Sequence, residues 1–370
     1  MRLSSPAQPQ TLVRTGRPAG PARCAGHYHA LMRSPPTSKS DLPSAASPPQ
    51  GPTAADHPTA RPSAGRTAAL TLLAMLAFAG NSLLCRIALK QTSIDAASFT
   101  SLRLASGALV LALLVLWRSR ARPAGASPGV APPASATRPW HAGSWLSALA
   151  LFVYAAGFSF AYVSLTAATG ALLLFGVVQT SMIGWGLSRG ERLQLLQWLG
   201  LLAASAGLVW LLLPGLAAPP LGAGALMSSA GVAWAVYTLR GRSAGAGVMA
   251  PDATTVTAGN FLRAAPLALG ASALLWPWAR WDAQGVLLAL ASGALASGLG
   301  YAIWYTALRG LSATRAAIVQ LTVPALATVG GVLMLGEQLT PHLLGASVAV
   351  LGGVALVIVA RPGLRASQRR

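Results

Sequence analysis

The sequence predicts an all-α, polytopic membrane protein with ten transmembrane helices arranged as two inverted five-helix repeats. Three observations lead to this fold: the composition, the spacing of apolar runs and a duplication of short motifs. Hydrophobic residues make up 54% of the 370 residues, charged residues only 9%, and the mean hydropathy is +0.57. Soluble domains carry about 25% charged residues. The chain therefore has too little charge to cover a soluble globule.

Apolar runs long enough to cross a bilayer recur from Thr67 onward, since a membrane-spanning helix needs about 20 residues. Proline or charged residues mark most boundaries between the runs, as expected of helix ends. The predicted helices cover residues 67–88, 96–117, 144–164, 168–187, 195–213, 221–239, 255–276, 285–307, 314–335 and 341–360.

The chain divides into four segments on this basis. Residues 1–66 are rich in Pro, Ser, Ala, Thr and Arg and lack an apolar run, so we expect a disordered cytoplasmic tail. Their Arg/Ser bias also resembles an organelle transit peptide, and a non-functional extension is the other interpretation. Residues 67–214 and 215–361 form the two repeats, and residues 362–370 form a basic cytoplasmic tail.

The basic residues predict the orientation. The formal net charge is +20, from 27 Lys and Arg against 7 Asp and Glu. With a cytoplasmic N-terminus, the outer loops hold little beyond Lys90 and Arg280, whereas the inner loops and the C-terminal tail hold many arginines. Basic residues collect in cytoplasmic loops. We therefore expect a multi-pass protein of the cell membrane with both termini cytoplasmic, and no nucleic-acid partner. The inner arginines are Arg118, Arg120, Arg122, Arg138, Arg189, Arg192, Arg240, Arg242, Arg309, Arg361, Arg365, Arg369 and Arg370.

An internal repeat explains the arrangement of the helices. Leu102-Arg103 matches Leu262-Arg263, and Gly190-Glu191 matches Gly336-Glu337. Each half then holds five helices, and an odd number places the second half upside down relative to the first. Inverted repeats of this kind are typical of secondary transporters, which bind substrate near the midplane between the halves.

Further short motifs follow one another in a fixed order. They are Gly80-Asn81, Leu102-Arg103, Gly190 to Leu193, Gly200, Gly207, Gly231 to Tyr237, Leu262-Arg263, Tyr301 to Leu308, Leu311 to Ala313, Pro324 and Leu335 to Leu339. The order, duplication and spacing of these motifs resemble those of the drug/metabolite transporter superfamily, specifically the EamA-type ten-helix permeases. The resemblance covers about residues 67–361.

That resemblance implies a secondary transporter, an exporter or exchanger of small metabolites such as amino acids, working by alternating access in the cytoplasmic membrane. The alternatives are a transporter of phosphorylated or nucleotide-linked sugars from the same superfamily and a membrane protein without transport activity. The sequence has neither paired intramembrane acids nor a metal-ligand cluster, so we expect no enzyme, no metal and no cofactor. The expected partners are a small-molecule substrate and the lipid bilayer, with a homodimer left open.

Polar and aromatic residues within the apolar runs are the candidate substrate-binding residues. A helix proline cannot donate to the carbonyl four residues before it, so Pro324 should leave the carbonyl of Gln320 available. The amides could instead form interhelical hydrogen bonds, and the tyrosines could belong to an interfacial aromatic belt. The candidates are Asn81, Gln179, Trp234, Tyr237, Trp304, Tyr305 and Gln320.

Four ionisable residues complete the candidate set. Arg103 and Arg263 lie inside predicted helices and either attract an anionic substrate or bond to backbone carbonyls and extend toward the interface. Glu191 and Glu337 lie at helix boundaries on opposite faces and act either in gating or as anchors for helix ends. No acid or histidine lies in the middle of an apolar run, so we expect a facilitator or exchanger, or proton coupling through these two glutamates.

Overall fold

The computed structural model describes residues 64–120, 138–190, 192–213, 219–244, 252–308, 310–311, 316 and 319–360. Within these residues the chain forms ten α-helices, two short 3₁₀ turns and no strand. Residues 1–63 of the predicted N-terminal tail, the predicted C-terminal tail, most of the predicted 118–143 loop and Glu191 lie outside the described residues. Residues 64–66, predicted as part of the tail, instead belong to the first helix. The helices are α1 (Ala64–Gln91), α2 (Ala96–Arg120), α3 (Trp145–Tyr162), α4 (Ala167–Ser188), α5 (Leu195–Leu212), α6 (Leu221–Ala244), α7 (Ala253–Leu274), α8 (Ala283–Leu308), α9 (Thr322–Leu335) and α10 (Pro341–Val359).

Seven of the helices in the described part of the chain are long and apolar enough to cross a membrane, namely α1 to α5, α8 and α10. Helix α9 is apolar but shorter, and α6 and α7 carry more polar residues, such as Asn260 and Arg263 in α7. Large apolar side chains such as Leu109 and Trp117 are exposed on the outside of the bundle, as expected of surfaces that face lipid. The protein is an all-helical, multi-pass membrane protein, whereas ten crossings remain a prediction.

The two halves make equivalent helix contacts. Each helix of the first half corresponds to the helix five positions later in the chain, so that α1 corresponds to α6. Helix α1 packs on α8 and α9, and α6 packs on α3 and α4. Helix α2 packs on α8, and α7 packs on α3. Three further pairs, α5 with α10, α2 with α7 and α4 with α9, each join a helix to its own counterpart. This exchange of contacts is what a two-fold relation between the halves would produce, and the inverted repeat itself remains a prediction.

Glycines allow α5 and α10 to cross closely. A Cβ atom on Gly353 would lie 2.5 Å from the carbonyl oxygen of Gly200 and 2.6 Å from the backbone nitrogen of Ala204. A Cβ atom on Gly207 would lie 2.9 Å from Val350. Lipid provides no hydrophobic force between helices, so close backbone approach at small residues is a main source of their attraction.

Asp95 fixes the connection between α1 and α2 against the connection between α7 and α8. Its carboxylate accepts hydrogen bonds from the backbone N–H groups of Arg280, Ala97 and Ser98, at 3.0, 2.9 and 2.9 Å respectively. Partial burial acts to raise the pKa of Asp95, but hydrogen bonds from Ser98, Arg280 and Ala97 outweigh this effect and hold the pKa below its usual value.

Asp282 forms the reciprocal link. Its carboxylate caps α8 by accepting from the N–H of Gly285 at 2.7 Å, and it accepts from the N–H of Ser93 at 2.9 Å. The bond from Gly285, followed by those from Ser93, lowers the pKa of Asp282. A depressed carboxyl pKa stabilises the fold at neutral pH, and this contribution is lost as the pH falls through the folded-state pKa.

Substitution of two adjacent glycines in α10 tests the importance of the α5–α10 crossing. Gly353→Val should lower the thermal unfolding midpoint of the purified protein, because the new side chain meets the backbone of α5. Gly352→Val is the matched control, because no atom lies within 4 Å of a Cβ atom there. Both variants carry the same change in helix propensity, so equal unfolding midpoints would contradict the packing argument.

Candidate functional site

A cavity of about 540 Å³ lies between the two halves. Its deep end is near the middle of the bundle, at Phe78 of α1 and Tyr154 of α3. From there it extends to Trp185 and Leu308, at the C-terminal ends of α4 and α8, and to Ala253 at the start of α7. The cavity therefore reaches the face of the bundle on which the predicted inner loops lie.

All seven candidate substrate-binding residues line this cavity. They come from α1, α4, α6, α8 and the segment before α9, so both halves contribute. Whether they bind a substrate stays a prediction, but the structure brings them together around one space. The seven are Asn81, Gln179, Trp234, Tyr237, Trp304, Tyr305 and Gln320.

The amides in the cavity have different hydrogen-bonding states. Asn81 is buried, and its Oδ1 atom accepts from the hydroxyl of Ser292 at 2.7 Å. The side chains of Gln179 and Gln320 form no hydrogen bond with other described residues. Their donors and acceptors therefore remain available to a molecule in the cavity.

The ninth predicted helix is not continuous in the described residues. Residues 316, 319 and 320 are helical, Leu321 is a turn, and α9 begins at Thr322, whereas the predicted start at residue 314 lies outside the described residues. Pro324 lies in the first turn of α9, where a missing backbone N–H has little cost. The interruption lies next to Gln320. Its carbonyl receives no hydrogen bond from Pro324, because proline has no backbone N–H.

Aromatic rings form one wall of the cavity. Trp234 stacks on Tyr237 with ring centroids 5.3 Å apart and lies 4.7 Å from Tyr154 and 5.4 Å from Tyr301. Phe78 makes an edge contact with Trp304 at 5.9 Å. These rings provide an apolar surface on which an aliphatic or aromatic group can lie.

Sequence analysis missed several polar residues of the lining, among them Tyr154, Asn260 and Tyr301. Asn260 lies in α7, where its amide nitrogen donates to the Tyr237 hydroxyl at 3.5 Å. Asn81 is predicted as a candidate because its amide lies within an apolar helix. Asn260 also has an amide within an apolar helix, so the same criterion could have identified it. The two tyrosines have no distinguishing pattern, since only the packing of α3 and α8 brings them to Trp234.

Helix α8 contains a π-helical stretch at Ser292–Leu299, which sequence analysis also missed. Ala296 and Ser297 of this stretch line the cavity. Such stretches occur often at functional sites because they change the direction of neighbouring side chains. A side chain on Gly293 would collide with the carbonyl oxygen of Arg103, so α2 and the π stretch pack backbone to backbone.

Arg103 is completely enclosed and lies behind the cavity wall. Its side chain is 1% exposed, so the predicted extension toward the interface does not occur. Its Nη2 atom donates to the Tyr154 hydroxyl at 3.1 Å and its Nε atom to the Ser297 hydroxyl at 3.4 Å. The guanidinium also lies over the ring of Phe158, 4.8 Å from its centroid.

Arg263 has a different environment although it occupies the matching place in the repeat. It is half-buried and is not among the residues that line the cavity. Its guanidinium donates to the backbone carbonyls of Trp140, Ala142 and Gly259. These bonds fix the segment before α3 against α7, which is a structural role.

A buried ion pair connects the two halves at the end of the bundle opposite the cavity opening. Arg86 of α1 lies 3.5 Å from the Glu337 carboxylate and donates to the carbonyls of Tyr162 and Val163 at 2.8 and 2.9 Å. Both oxygens of Glu337 accept from the N–H of Ala167 at 2.9 Å. Glu337 therefore anchors the start of α4, not the start of the helix that follows it.

A multi-pass helical bundle with a central cavity between two halves is an architecture typical of membrane transporters. Residues 222–359 match the EamA-like transporter family, which corresponds to the second predicted repeat. The chain therefore contains an EamA-like transporter domain.

Similarity to individual proteins covers more of the chain than the family match does. The chain is 55% identical over 305 residues to the "Uncharacterized protein PA1977" of Pseudomonas aeruginosa, covering 82% of this chain and 98% of that protein. It is 36% identical over 141 residues to the threonine/homoserine exporter RhtA of Escherichia coli K12, covering 36% of this chain and 45% of RhtA. A solved crystal structure with 20% identity superposes with a TM-score of 0.55 over 80% of this chain and 98% of the other, which shows a shared fold.

Two substitutions test whether the cavity binds substrate. Gln320→Leu removes the free amide and keeps a side chain of similar size. It should weaken substrate affinity roughly threefold to tenfold, because one hydrogen bond contributes about 0.5–1.5 kcal/mol to binding. Trp304→Ala should weaken it more because it deletes an aromatic surface. The matched control is Trp117→Ala, since Trp117 is 67% exposed on the outside of the bundle. Unchanged affinity in both cavity variants, with normal membrane levels, would mean that these residues only pack.

Proposed function

We propose that the protein is a secondary transporter of small organic metabolites, amino acids among them, that works by alternating access across the cytoplasmic membrane. The observation that carries this proposal is the central cavity, which both halves line and which, among the described residues, reaches one face of the bundle. A site between two related halves can be exposed to either face when the halves tilt relative to each other.

The described conformation corresponds to one half of such a cycle. The cavity reaches the ends of α4, α6 and α8, where Arg189 and Arg240 lie. If the arginine-bearing face is cytoplasmic, as the charge distribution predicts, this conformation is open to the inside. The cluster of Arg86 and Glu337 then closes the outside by joining α1, the α3–α4 connection and the end of α9.

Glu337 is accordingly proposed as a gating residue. Its carboxylate belongs to the second half, while its partners Arg86 and Ala167 belong to the first. Opening of the cavity toward the outside requires these contacts to break, because they connect the helix ends that would have to separate. Glu191, the matching residue of the repeat, is the proposed counterpart on the inner face.

Size and polarity of the cavity favour a substrate such as an amino acid. Among the described residues, no Lys, Arg, Asp, Glu or His lines the cavity. A phosphorylated or nucleotide-linked sugar requires cationic side chains in direct contact with its phosphates, so the described lining suits that alternative less well. RhtA, named for threonine and homoserine export, supports the choice of these two amino acids as first probes.

Uptake of radiolabelled L-threonine and L-homoserine into proteoliposomes tests the proposed function. Vesicles with the full-length protein should accumulate label faster than protein-free vesicles, and preloading with unlabelled substrate should stimulate exchange. Since no described acid lines the cavity, a pH gradient should have little effect. A strict requirement for the gradient that survives Glu191→Gln together with Glu337→Gln would contradict this mechanism. Failure to transport any compound of an amino-acid panel would contradict the proposed function.

Accessibility of a cavity cysteine tests the outer gate. In a variant without Cys24 and Cys85, Ser82→Cys places a thiol in the cavity lining. An impermeant thiol reagent added outside should label it slowly, and Glu337→Gln should speed labelling severalfold because the attraction to Arg86 is lost.

The matched control for the gate is Asp282→Asn, which neutralises a carboxylate in the α7–α8 connection on the same face that is not among the residues lining the cavity. It should leave the labelling rate unchanged. Equal labelling rates in the parent and in the Glu337→Gln variant would show that the ion pair is structural and does not control access.

A further inference from the structure

We propose that Arg103, Tyr154 and Ser297 form a carboxylate subsite at the deep end of the cavity. Arg103 supplies the positive charge, and the two hydroxyl groups present it to the cavity as hydrogen-bond donors. This inference rests on the proposed transport function and names its substrate class: small organic acids with a free carboxylate, including amino acids.

The charge of Arg103 is not neutralised within the described residues. Its guanidinium contacts no carboxylate, and its Nη1 atom is buried without a hydrogen-bond partner. Isolated buried charges are costly and are normally paired. The rings of Tyr154 and Phe158, at 5.4 and 4.8 Å from the guanidinium carbon, compensate part of this cost. An anion nearby would compensate the remainder.

The direction of the hydrogen bonds shows where that anion would lie. A guanidinium only donates, so the hydroxyl oxygens of Tyr154 and Ser297 accept from Arg103. Each hydroxyl therefore keeps its own hydrogen, and neither hydrogen has an acceptor among the described residues. Tyr154 and Ser297 both line the cavity, and so does Phe158. A negatively charged acceptor in the cavity would accept a hydrogen bond from each of the two hydroxyls. The neighbouring guanidinium would strengthen both bonds.

Arg263 and Arg86 have acceptors that Arg103 lacks. Arg263, the counterpart of Arg103 in the repeat, is satisfied by three backbone carbonyls. The buried Nε atom of Arg86 also has no hydrogen-bond partner, but it lies 3.5 Å from the Glu337 carboxylate, and the Nη1 atom donates to two carbonyls. A purely structural arginine would be expected to have such acceptors, and Arg103 donates to no backbone carbonyl among the described residues.

The rest of the lining fits the remainder of an amino acid. The side-chain oxygens of Gln179 and Gln320 can accept from an ammonium or hydroxyl group, and Trp234 offers a ring face to an ammonium or aliphatic group. A primary amide in place of the carboxylate would lose the charge that Arg103 attracts. The subsite should therefore discriminate strongly between an acid and its amide.

Binding of acid–amide pairs tests the subsite independently of transport. The full-length protein in detergent is titrated with L-threonine, L-alanine and L-leucine and with their primary amides, using calorimetry or thermal stabilisation. The parent protein should prefer at least one acid over its amide by roughly tenfold or more, the range expected of charge-assisted hydrogen bonds. Tyr154→Phe and Ser297→Ala should each reduce this preference severalfold, because the hydrogen bond lost to the charged carboxylate is stronger than the one lost to the amide carbonyl. Arg103→Met should abolish the preference.

Arg263→Met is the matched control, because it removes a cation at the corresponding repeat position that does not line the cavity. It should retain the preference in the folded fraction. If Arg103→Met does not fold, Tyr154→Phe and Ser297→Ala decide the question, since both keep the guanidinium.

The outcomes separate the subsite from the proposed function. A parent protein without any acid preference, or single variants that keep the full preference, would overturn the subsite even where transport is observed. Acid-selective binding that depends on these residues, without uptake into proteoliposomes, would support the subsite and contradict the transport function.

Discussion

Close approach of helix backbones is the constraint on which this structure depends. In a lipid environment each helix must satisfy its own backbone polar groups, and burial of apolar surface gives little force between helices. Glycines such as Gly353 in α10 and Gly293 in α8 therefore determine which helices touch. Large aromatic side chains such as Trp234 and Trp304 instead line the central cavity between the helices.

Much of the candidate site could be predicted because polar residues are rare in these helices. Asn81, Gln179 and Gln320 are conspicuous in an apolar sequence, and all three line the cavity. Tyr154 and Tyr301 could not be found in this way, because tyrosine is common at membrane interfaces and within cores alike. The helix positions were readable from hydropathy, whereas the interruption at Leu321 and the π stretch in α8 depend on backbone geometry that hydropathy does not report.

The charged residues show a second limit of sequence analysis. Arg103 and Arg263 occupy matching places in a repeated motif, yet one has hydroxyl and aromatic neighbours and the other has backbone carbonyls. Their environments differ because each arginine meets elements of the opposite half, or a loop, that the motif does not include. Glu337 is similar, since its partners Arg86 and Ala167 lie far away in the chain. A motif identifies such residues but does not identify their partners.

The π-helical stretch at Ser292–Leu299 has a geometric consequence for the cavity. A π turn contains an additional residue compared with an α turn, and each residue of an α-helix advances by roughly 100° around the axis. Conversion of the stretch to regular α geometry would therefore turn the second half of α8 about its own axis. Tyr301 and Trp304 would move away from Trp234 and Phe78, so a local change in helix winding would be sufficient to dismantle the aromatic wall without any tilt of the bundle.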